Sequence, residues 1–178
     1  NFEKAKALLK EAGYDGTPVV LMQSTTLPVL TNMAPVTKAL LEQGGFKVDM
    51  QAMDWQTLVA RRTKKDPLDK GGWSAYFTSW GSPDVMNPVS AAFVNASCDK
   101  ATFGWTCDEG IEKLRDAFSK ETDPAKQKAI AEQVSVRLSG AYPTFVPLGQ
   151  FTPPTAIRSN ISGLLSVPEL ALWNVEKK

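Results

Sequence analysis

The chain has 178 residues, of which 43% are hydrophobic and 22% are charged, the balance of a folded globular protein. Its 20 Lys and Arg residues against 19 Asp and Glu residues give a formal charge of +1, so no net field favours nucleic acid as a partner, and we expect none. The absence of histidine excludes most familiar hydrolase mechanisms and the commonest metal ligand, so we predict neither a metal site nor another cofactor.

The first predicted element is a helix near the N-terminus. Asn1 can cap its start, and Gly13 suits the left-handed residue that ends a helix. Apolar residues at helical spacing define the face that we expect to be covered. They are Phe2, Ala5, Leu8, Leu9 and Ala12.

A strand, a helix and a second strand are predicted next. Residues 19–22 form a short apolar run typical of a strand buried on both faces. The second strand begins near Phe46, where apolar and polar residues alternate. Together they predict an α/β fold, a mixed sheet with crossover helices. The helix between them carries Leu30, Met33, Val36, Leu40 and Leu41 on one face, and Pro35 must open it or kink it.

Capping residues predict three further helices. Asp54 can cap a helix that carries Trp55, and an extended segment, residues 73–79, follows the next loop. Asp108 can cap a helix with Ile111, Leu114 and Phe118 on one face, and Asp123 followed by Pro124 opens another. Residues 142–148 predict an edge strand or extended arm, and shorter extended pieces are expected near 158 and at 170–175. No linker divides the chain, so we predict one domain, residues 1–178.

The two cysteines, Cys98 and Cys107, stand nine positions apart in a segment that reads as a loop. A redox pair would favour Cys-x-x-Cys spacing, and zinc would need two further ligands that histidine cannot supply here. The sequence favours a structural disulfide, which implies an oxidising compartment, over two unrelated free thiols.

The segment 73–88 concentrates aromatic residues, hydroxyls and a carboxylate directly after a predicted strand. Ligands of open α/β sheets bind outside the carboxyl ends of strands. Trp80 could stack on a ligand, while Ser79, Ser82 and the main chain of Gly81 could donate hydrogen bonds. The alternative interpretation is a core strand followed by a proline turn, with Trp73 and Phe77 simply packed.

The order of these motifs resembles the C-terminal part of the extracytoplasmic solute-binding proteins of peptide and nickel ABC importers, family 5. The resemblance rests on five features in chain order. They are the N-terminal helix, the first strand, the end of the next helix with the start of the second strand (residues 40–48), Asp54-Trp55, and the aromatic strand that continues into residues 80–84. The resemblance continues through residues 103–108, 142–150 and 173–177, so it spans almost the whole chain.

The resemblance implies a two-lobed protein roughly three times this length, with a periplasmic-binding-protein-like lobe here. Residues 1–178 would be most of the C-terminal lobe, and the N-terminal lobe would be absent. The implied function is solute binding for an ABC transporter, without catalysis. The ligand held between the lobes would be a peptide, a nickel chelate, an oligosaccharide or another small molecule, and the sequence does not choose among them. The implied partners are that missing lobe and an ABC permease, and the implied location is periplasmic.

The resemblance also indicates which residues face the ligand. In peptide-binding relatives an aspartate after the aromatic strand pairs with the ligand's amino group; the matching position here is Ser79, and Asp84 lies further along. This departure argues against an amine salt bridge unless the loop folds back to place Asp84. The predicted ligand-facing residues are Thr78, Ser79, Trp80, Gly81, Asp84, Trp105 and Trp55.

Two other classes of function remain open on the residues alone. A fragment of a small secreted hydrolase would need two carboxylates about 5–10 Å apart in one cleft. A protein-interaction module would present Trp73, Trp80 and Trp105 as an exposed apolar patch.

Overall fold

The computed structural model describes residues 1–140 and 145–178. Packing of the backbone divides the chain into two compact units, Asn1–Ser79 and Trp80–Lys178, which are described separately. The assignment of residues 1–178 to one C-terminal lobe stays a prediction.

The first unit contains the predicted strand, helix and strand. Asn1 accepts a hydrogen bond from the Lys4 N–H at the start of the first helix, and Gly13 adopts φ 71°, so both helix-end predictions are confirmed. Asp54 caps the third helix through the Thr57 N–H. The elements are α1 (Phe2–Glu11), β1 (Val19–Ser24), α2 (Pro28–Gln43), β2 (Val48–Met53), α3 (Trp55–Arg61), a 3₁₀ turn (Leu68–Lys70) and β3 (Ala75–Tyr76).

The sheet of the first unit is parallel, with β1 between β2 and β3 among the described residues. Val19 pairs with Val48 and Ser24 with Met53, while Leu21 pairs with Ala75. The central strand β1 is buried along nearly its whole length because neighbours cover both of its edges. The predicted α/β class with crossover helices is confirmed. The extended segment predicted over 73–79 shortens to the two residues of β3.

The predicted covered faces of α1 and α2 need correction. Helix α1 has no buried residue, and Phe2 and Leu8 are exposed, because the helix packs through Ala5 and Leu9 against the turn that follows α2. In α2 the buried residues are Leu30 and Ala34 rather than Val36 and Leu40, which are exposed, and Pro35 lies inside the helix that Pro28 opens.

The second unit is built around a small apolar core between α5 and α6. Asp108 and Asp123 cap these helices with their side chains, as the sequence predicts. The elements are α4 (Ser82–Val85), two 3₁₀ turns (Ala92–Val94 and Cys98–Lys100), α5 (Glu109–Lys120), α6 (Pro124–Leu138), β4 (Ile161–Ser162) and β5 (Glu176–Lys177). The core consists of Ala91, Val94, Ala96, Ile111, Val134 and Leu138, with Phe93, Leu114 and Phe145 packed against it.

The C-terminal extended segments are shorter than the sequence predicts. The predicted arm at 142–148 falls partly outside the described residues, and the described part, 145–148, has no assigned strand. In place of the pieces expected near 158 and at 170–175, the structure has β4 and β5, which lie slightly further along the chain. These two strands are antiparallel and pair over two residues.

The disulfide Cys98–Cys107 is present, with Cα atoms 4.0 Å apart. Cys98 N–H donates to the Thr106 carbonyl at 2.9 Å, so the bond closes a loop whose ends already pair. Replacing both cysteines by serine should lower the free energy of unfolding by roughly 2–3 kcal/mol, because the unfolded chain regains the freedom that the cross-link removes. Chemical denaturation measures this loss, and reduction of the wild type should match it. A loss below about 0.5 kcal/mol would contradict the structural role.

A pH-dependent contribution to stability is expected from Asp108. Hydrogen bonds from Arg137 lower the pKa of the Asp108 carboxyl below its ordinary 3.8, and the N–H groups of Ile111 and Gly110 act in the same direction. A lowered folded-state pKa stabilises the protein above the unfolded pKa, and this stabilisation is lost as pH falls through the folded value. The wild type should therefore exceed Asp108→Asn in unfolding free energy at pH 7. The difference should shrink below about pH 4; a difference independent of pH would contradict this.

Candidate functional site

The predicted ligand-binding segment is the turn formed by residues 78–84, the Trp80 turn. It follows the carboxyl end of β3, where the chain leaves the parallel sheet. Arg61 fixes the loop that leads into this strand, since its Nε donates to the Gly71 carbonyl at 2.9 Å and its Nη2 to the Gly72 carbonyl at 3.0 Å. Thr78 and Ser79 close the first unit, and Trp80 opens the second. Thr78, Ser79, Trp80, Gly81 and Asp84 are all exposed.

Trp73 and Phe77 are packed, as the alternative interpretation of a core strand predicts. The ring of Trp73 meets that of Tyr76 edge to face at 5.1 Å, and its Nε1 donates to the Arg62 carbonyl at 3.2 Å. Phe77 is half-buried. The strand is therefore packed, as the alternative interpretation predicts, while the turn after it is exposed. Ligand binding by this turn stays a prediction.

Trp80 is supported from behind by other aromatic rings. Its indole is 44% exposed and packs against Phe93 with ring centroids 6.1 Å apart, and Phe93 meets Phe145 edge to face at 4.4 Å. An indole held on one side and open over nearly half of its surface is suited to stack on a ligand. That it does so stays a prediction.

Two carboxylates converge on Gly81. A Cβ at this position would lie 2.6 Å from Glu169 Oε1 and 3.2 Å from Asp84 Oδ2, so both carboxylates lie close to the Gly81 main chain. Glu169 is not among the sequence-predicted residues, because it is remote along the chain and no local pattern signals it. The pair makes the turn locally negative, which suits a cationic ligand group.

Trp55 lies at the carboxyl ends of β1 and β2. Its N–H donates to Thr26 Oγ1 at 3.2 Å, and Thr25 N–H donates to the Met53 carbonyl at 2.9 Å. Ser24 is 2% exposed and its hydroxyl makes no hydrogen bond within the described residues. The hydroxyl run 24–26 thus borders the sheet edge at which β3 leads to Thr78. This run is not among the sequence-predicted site residues, although its position directly after a buried strand is a signal for a ligand site.

Trp105 is held by the disulfide-closed loop. It is partly buried and adopts φ 49°, a left-handed conformation uncommon for a bulky residue, and its N–H donates to the Thr102 carbonyl at 2.9 Å.

An apolar cavity of about 500 Å³ lies within the second unit. Val85 and Met86, which continue the turn, form one wall, and residues of α6 form another. Its volume is within the usual range for small-molecule sites. The remaining lining residues are Pro88, Phe93, Val94, Ala131, Val134, Ser135, Leu138, Ser139, Phe145, Val146 and Pro147.

The described residues contain no group of three or more Cys, Asp or Glu side chains placed to hold a metal ion. Within residues 1–140 and 145–178, no helix combines the length and the apolar character that crossing a membrane requires.

The family of the chain follows from a match to a known family model. The model described as bacterial extracellular solute-binding proteins, family 5 Middle, matches residues 1–103. The chain belongs to this family. The resemblance predicted from the order of motifs is therefore confirmed, and a family of solute-binding proteins disfavours the hydrolase interpretation of the two carboxylates.

Sequence relatives agree with the family assignment. A probable peptide ABC transporter periplasmic-binding protein of Sinorhizobium fredii is 33% identical over 175 residues, covering 98% of this chain and 33% of the relative. The chain spans about a third of the length of the relatives it matches.

Two solved structures support the fold alone. The substrate-binding protein CtaP of Listeria monocytogenes aligns with a TM-score of 0.64 at 16% identity, covering 78% of this chain and 28% of that one. The dipeptide-binding protein of Pseudoalteromonas sp. SM9913, solved with Met-Leu, aligns with a TM-score of 0.61 at 17% identity, covering 99% of this chain and 35% of that one. The predicted periplasmic-binding-protein-like fold is confirmed.

Proposed function

We propose that the chain is part of the substrate-binding component of an ABC importer, and that its ligand is a peptide or a related solute. The observation that carries the proposal is family membership together with 33% identity, over 98% of the chain, to a relative named as a peptide ABC transporter periplasmic-binding protein. The name of that relative supports a peptide as the ligand class.

The proposed mechanism is capture by closure. This chain supplies one wall of the ligand site, and an N-terminal lobe outside these residues supplies the other. A ligand that contacts both lobes stabilises the closed state, because only that state gains both sets of contacts. The membrane permease then recognises the closed form, and no chemical step takes place on the ligand.

The proposed ligand contacts centre on the Trp80 turn. Trp80 would stack on the ligand, and the main chain at Gly81 would donate a hydrogen bond. Asp84, together with Glu169, would attract a positively charged ligand group such as a peptide amine. Thr78, Ser79, Trp55 and Trp105 complete the proposed set.

The proposed location is outside the cytoplasm. The Cys98–Cys107 disulfide supports it, since disulfides persist in oxidising compartments. The Sinorhizobium fredii relative is named a periplasmic-binding protein, which supports the same address.

Calorimetric titration of the full-length protein with Met-Leu and with a mixture of di- and tripeptides tests the function. We expect saturable binding of at least one of these peptides, and no saturable heat with free leucine, which lacks a peptide bond. Absence of binding to every peptide tested, by protein that is folded and stripped of retained ligand, would contradict a peptide-binding role.

A further inference from the structure

Arg115 makes an unusually complete set of contacts for a side chain on a solvent-facing helix. Its Nε donates to the Pro88 carbonyl at 3.0 Å and its Nη2 to the Val89 carbonyl at 3.1 Å. Its Nη1 donates to both carboxylate oxygens of Glu112, at 2.7 and 2.8 Å. The side chain is only 13% exposed.

Arg115 holds the start of the segment 88–96, the anchored segment, and Glu112 holds its other end. Its Oε1 accepts the N–H of Ala96 at 2.7 Å. The Arg115–Glu112 pair therefore ties α5 to the main chain at residues 88–89 and at 96. Hydrogen bonds that involve charged groups are stronger than neutral ones, so the pair holds this segment firmly.

The anchored segment connects directly to the Trp80 turn. Residues 81–87 are all exposed, so packing in the core does not fix them. Asn87 lies at the end of this stretch, where its Oδ1 accepts the Val89 N–H at 2.8 Å and its carbonyl accepts the Ala91 N–H at 2.9 Å. The turn is thus bound to the anchored segment at its C-terminal end.

Phe93 provides the second connection. It lies between the anchored carbonyls and Ala96, and its ring supports the Trp80 indole. Without the guanidinium, the Pro88 and Val89 carbonyls would lose their donors, and the main chain that places Phe93 behind Trp80 would be free to shift.

We propose that Arg115 is a positioning residue for ligand binding: it sets the place of the Trp80 turn without touching the ligand. This rests on the proposed function. It adds that part of the affinity depends on preorganisation of the turn by α5, since a site whose supporting contacts are loose binds less well even when every contacting residue is present.

Arg115→Ala and Arg115→Lys in the full-length protein test the proposal, with Arg137→Ala as the matched control. Arg137 pairs with Asp108 at 2.9 Å, at the start of the same helix, so its loss also removes an arginine ion pair from α5. We expect Arg115→Ala to weaken Met-Leu binding about tenfold in calorimetry. Arg115→Lys should weaken it less, because the ammonium keeps a positive charge opposite Glu112, but it should not restore wild-type affinity, because an ammonium cannot hold both carbonyls and the carboxylate together. Arg137→Ala should bind as the wild type does.

Hydrogen exchange of the peptide covering residues 81–87 supplies a readout that a purely structural role would leave unchanged. We expect faster exchange there in Arg115→Ala and not in Arg137→Ala, both measured well below their melting temperatures. Wild-type affinity in Arg115→Ala would overturn the proposal, and if that variant does not fold, wild-type affinity and exchange in Arg115→Lys would overturn it. Failure of the wild type to bind any peptide would instead overturn the proposed function, and unchanged exchange in the turn would overturn the positioning role independently of ligand.

Discussion

Trp80→Ala in the full-length protein is expected to weaken peptide binding by at least about tenfold, the effect of removing a stacked aromatic anchor worth more than about 1.4 kcal/mol. The fold should persist, because the Phe93–Phe145 pair behind the indole remains and 44% of Trp80 is already exposed. Calorimetry with Met-Leu measures the loss, and circular dichroism verifies folding.

Trp173→Ala is the matched control for this experiment. Trp173 is 83% exposed and lies outside the proposed site, so its removal tests whether the loss of any accessible tryptophan lowers affinity. Equal affinities for the wild type and Trp80→Ala would contradict the assignment of the turn to the ligand. Equal losses in the two variants would show that the effect is not specific to Trp80.

Gly72→Ala is expected to destabilise the first unit by more than about 3 kcal/mol, at the upper end of what overpacking costs. A Cβ at Gly72 would overlap the Asp66 carbonyl oxygen and lie 2.9 Å from that of Pro67. Both are main-chain atoms, and the Pro67 carbonyl accepts the N–H groups of Lys70 and Gly72 at 2.9 and 3.0 Å. Arg61 holds the same loop through the carbonyls of Gly71 and Gly72, so making room for the Cβ would disturb these hydrogen bonds. Denaturant unfolding measures the loss.

Gly140→Ala gives the comparison for Gly72→Ala. A Cβ at Gly140 would meet carbonyl oxygens at 3.3 and 3.4 Å, contacts that a small adjustment relieves, so a change within about 0.5 kcal/mol is expected. A Gly72→Ala protein as stable as the wild type would show that the loop before β3 is not tightly held. The hydrogen bonds from Arg61 to the Gly71 and Gly72 carbonyls would then have no role in placing β3.

Much of the fold could be predicted because its signals are local. A carboxylate or amide followed by helix-forming residues predicts the starts of α1, α3, α5 and α6, since the cap satisfies N–H groups within the same few residues. The apolar run of β1 predicts a buried central strand, and the alternation in β2 predicts a neighbouring strand with one covered face.

The covered faces of α1 and α2 could not be predicted in the same way. Helical spacing placed Leu8 and Val36 on apolar faces, but burial depends on which neighbour the fold supplies. Ala34 is fully buried, and a spacing pattern of large apolar residues does not mark a small side chain as a buried position.

In the candidate site, too, residues with a local sequence signal could be predicted and residues placed by tertiary packing could not. The Trp80 turn could be found because an aromatic and polar cluster follows a strand directly. Glu169 could not, because its approach to Gly81 is set by the tertiary fold of the second unit. Arg115 read as an ordinary charged helix residue, and only its contacts with the Pro88 and Val89 carbonyls distinguish it.

A crystal structure of the full-length protein, purified with the ligand that it retains, would show whether the Trp80 turn contacts the ligand. We expect electron density for a peptide or related solute within about 4 Å of the Trp80 indole, with the carboxylates of Asp84 and Glu169 facing its positively charged group. A ligand bound away from residues 78–84, or a Trp80 turn covered by protein with no ligand beside it, would contradict the account.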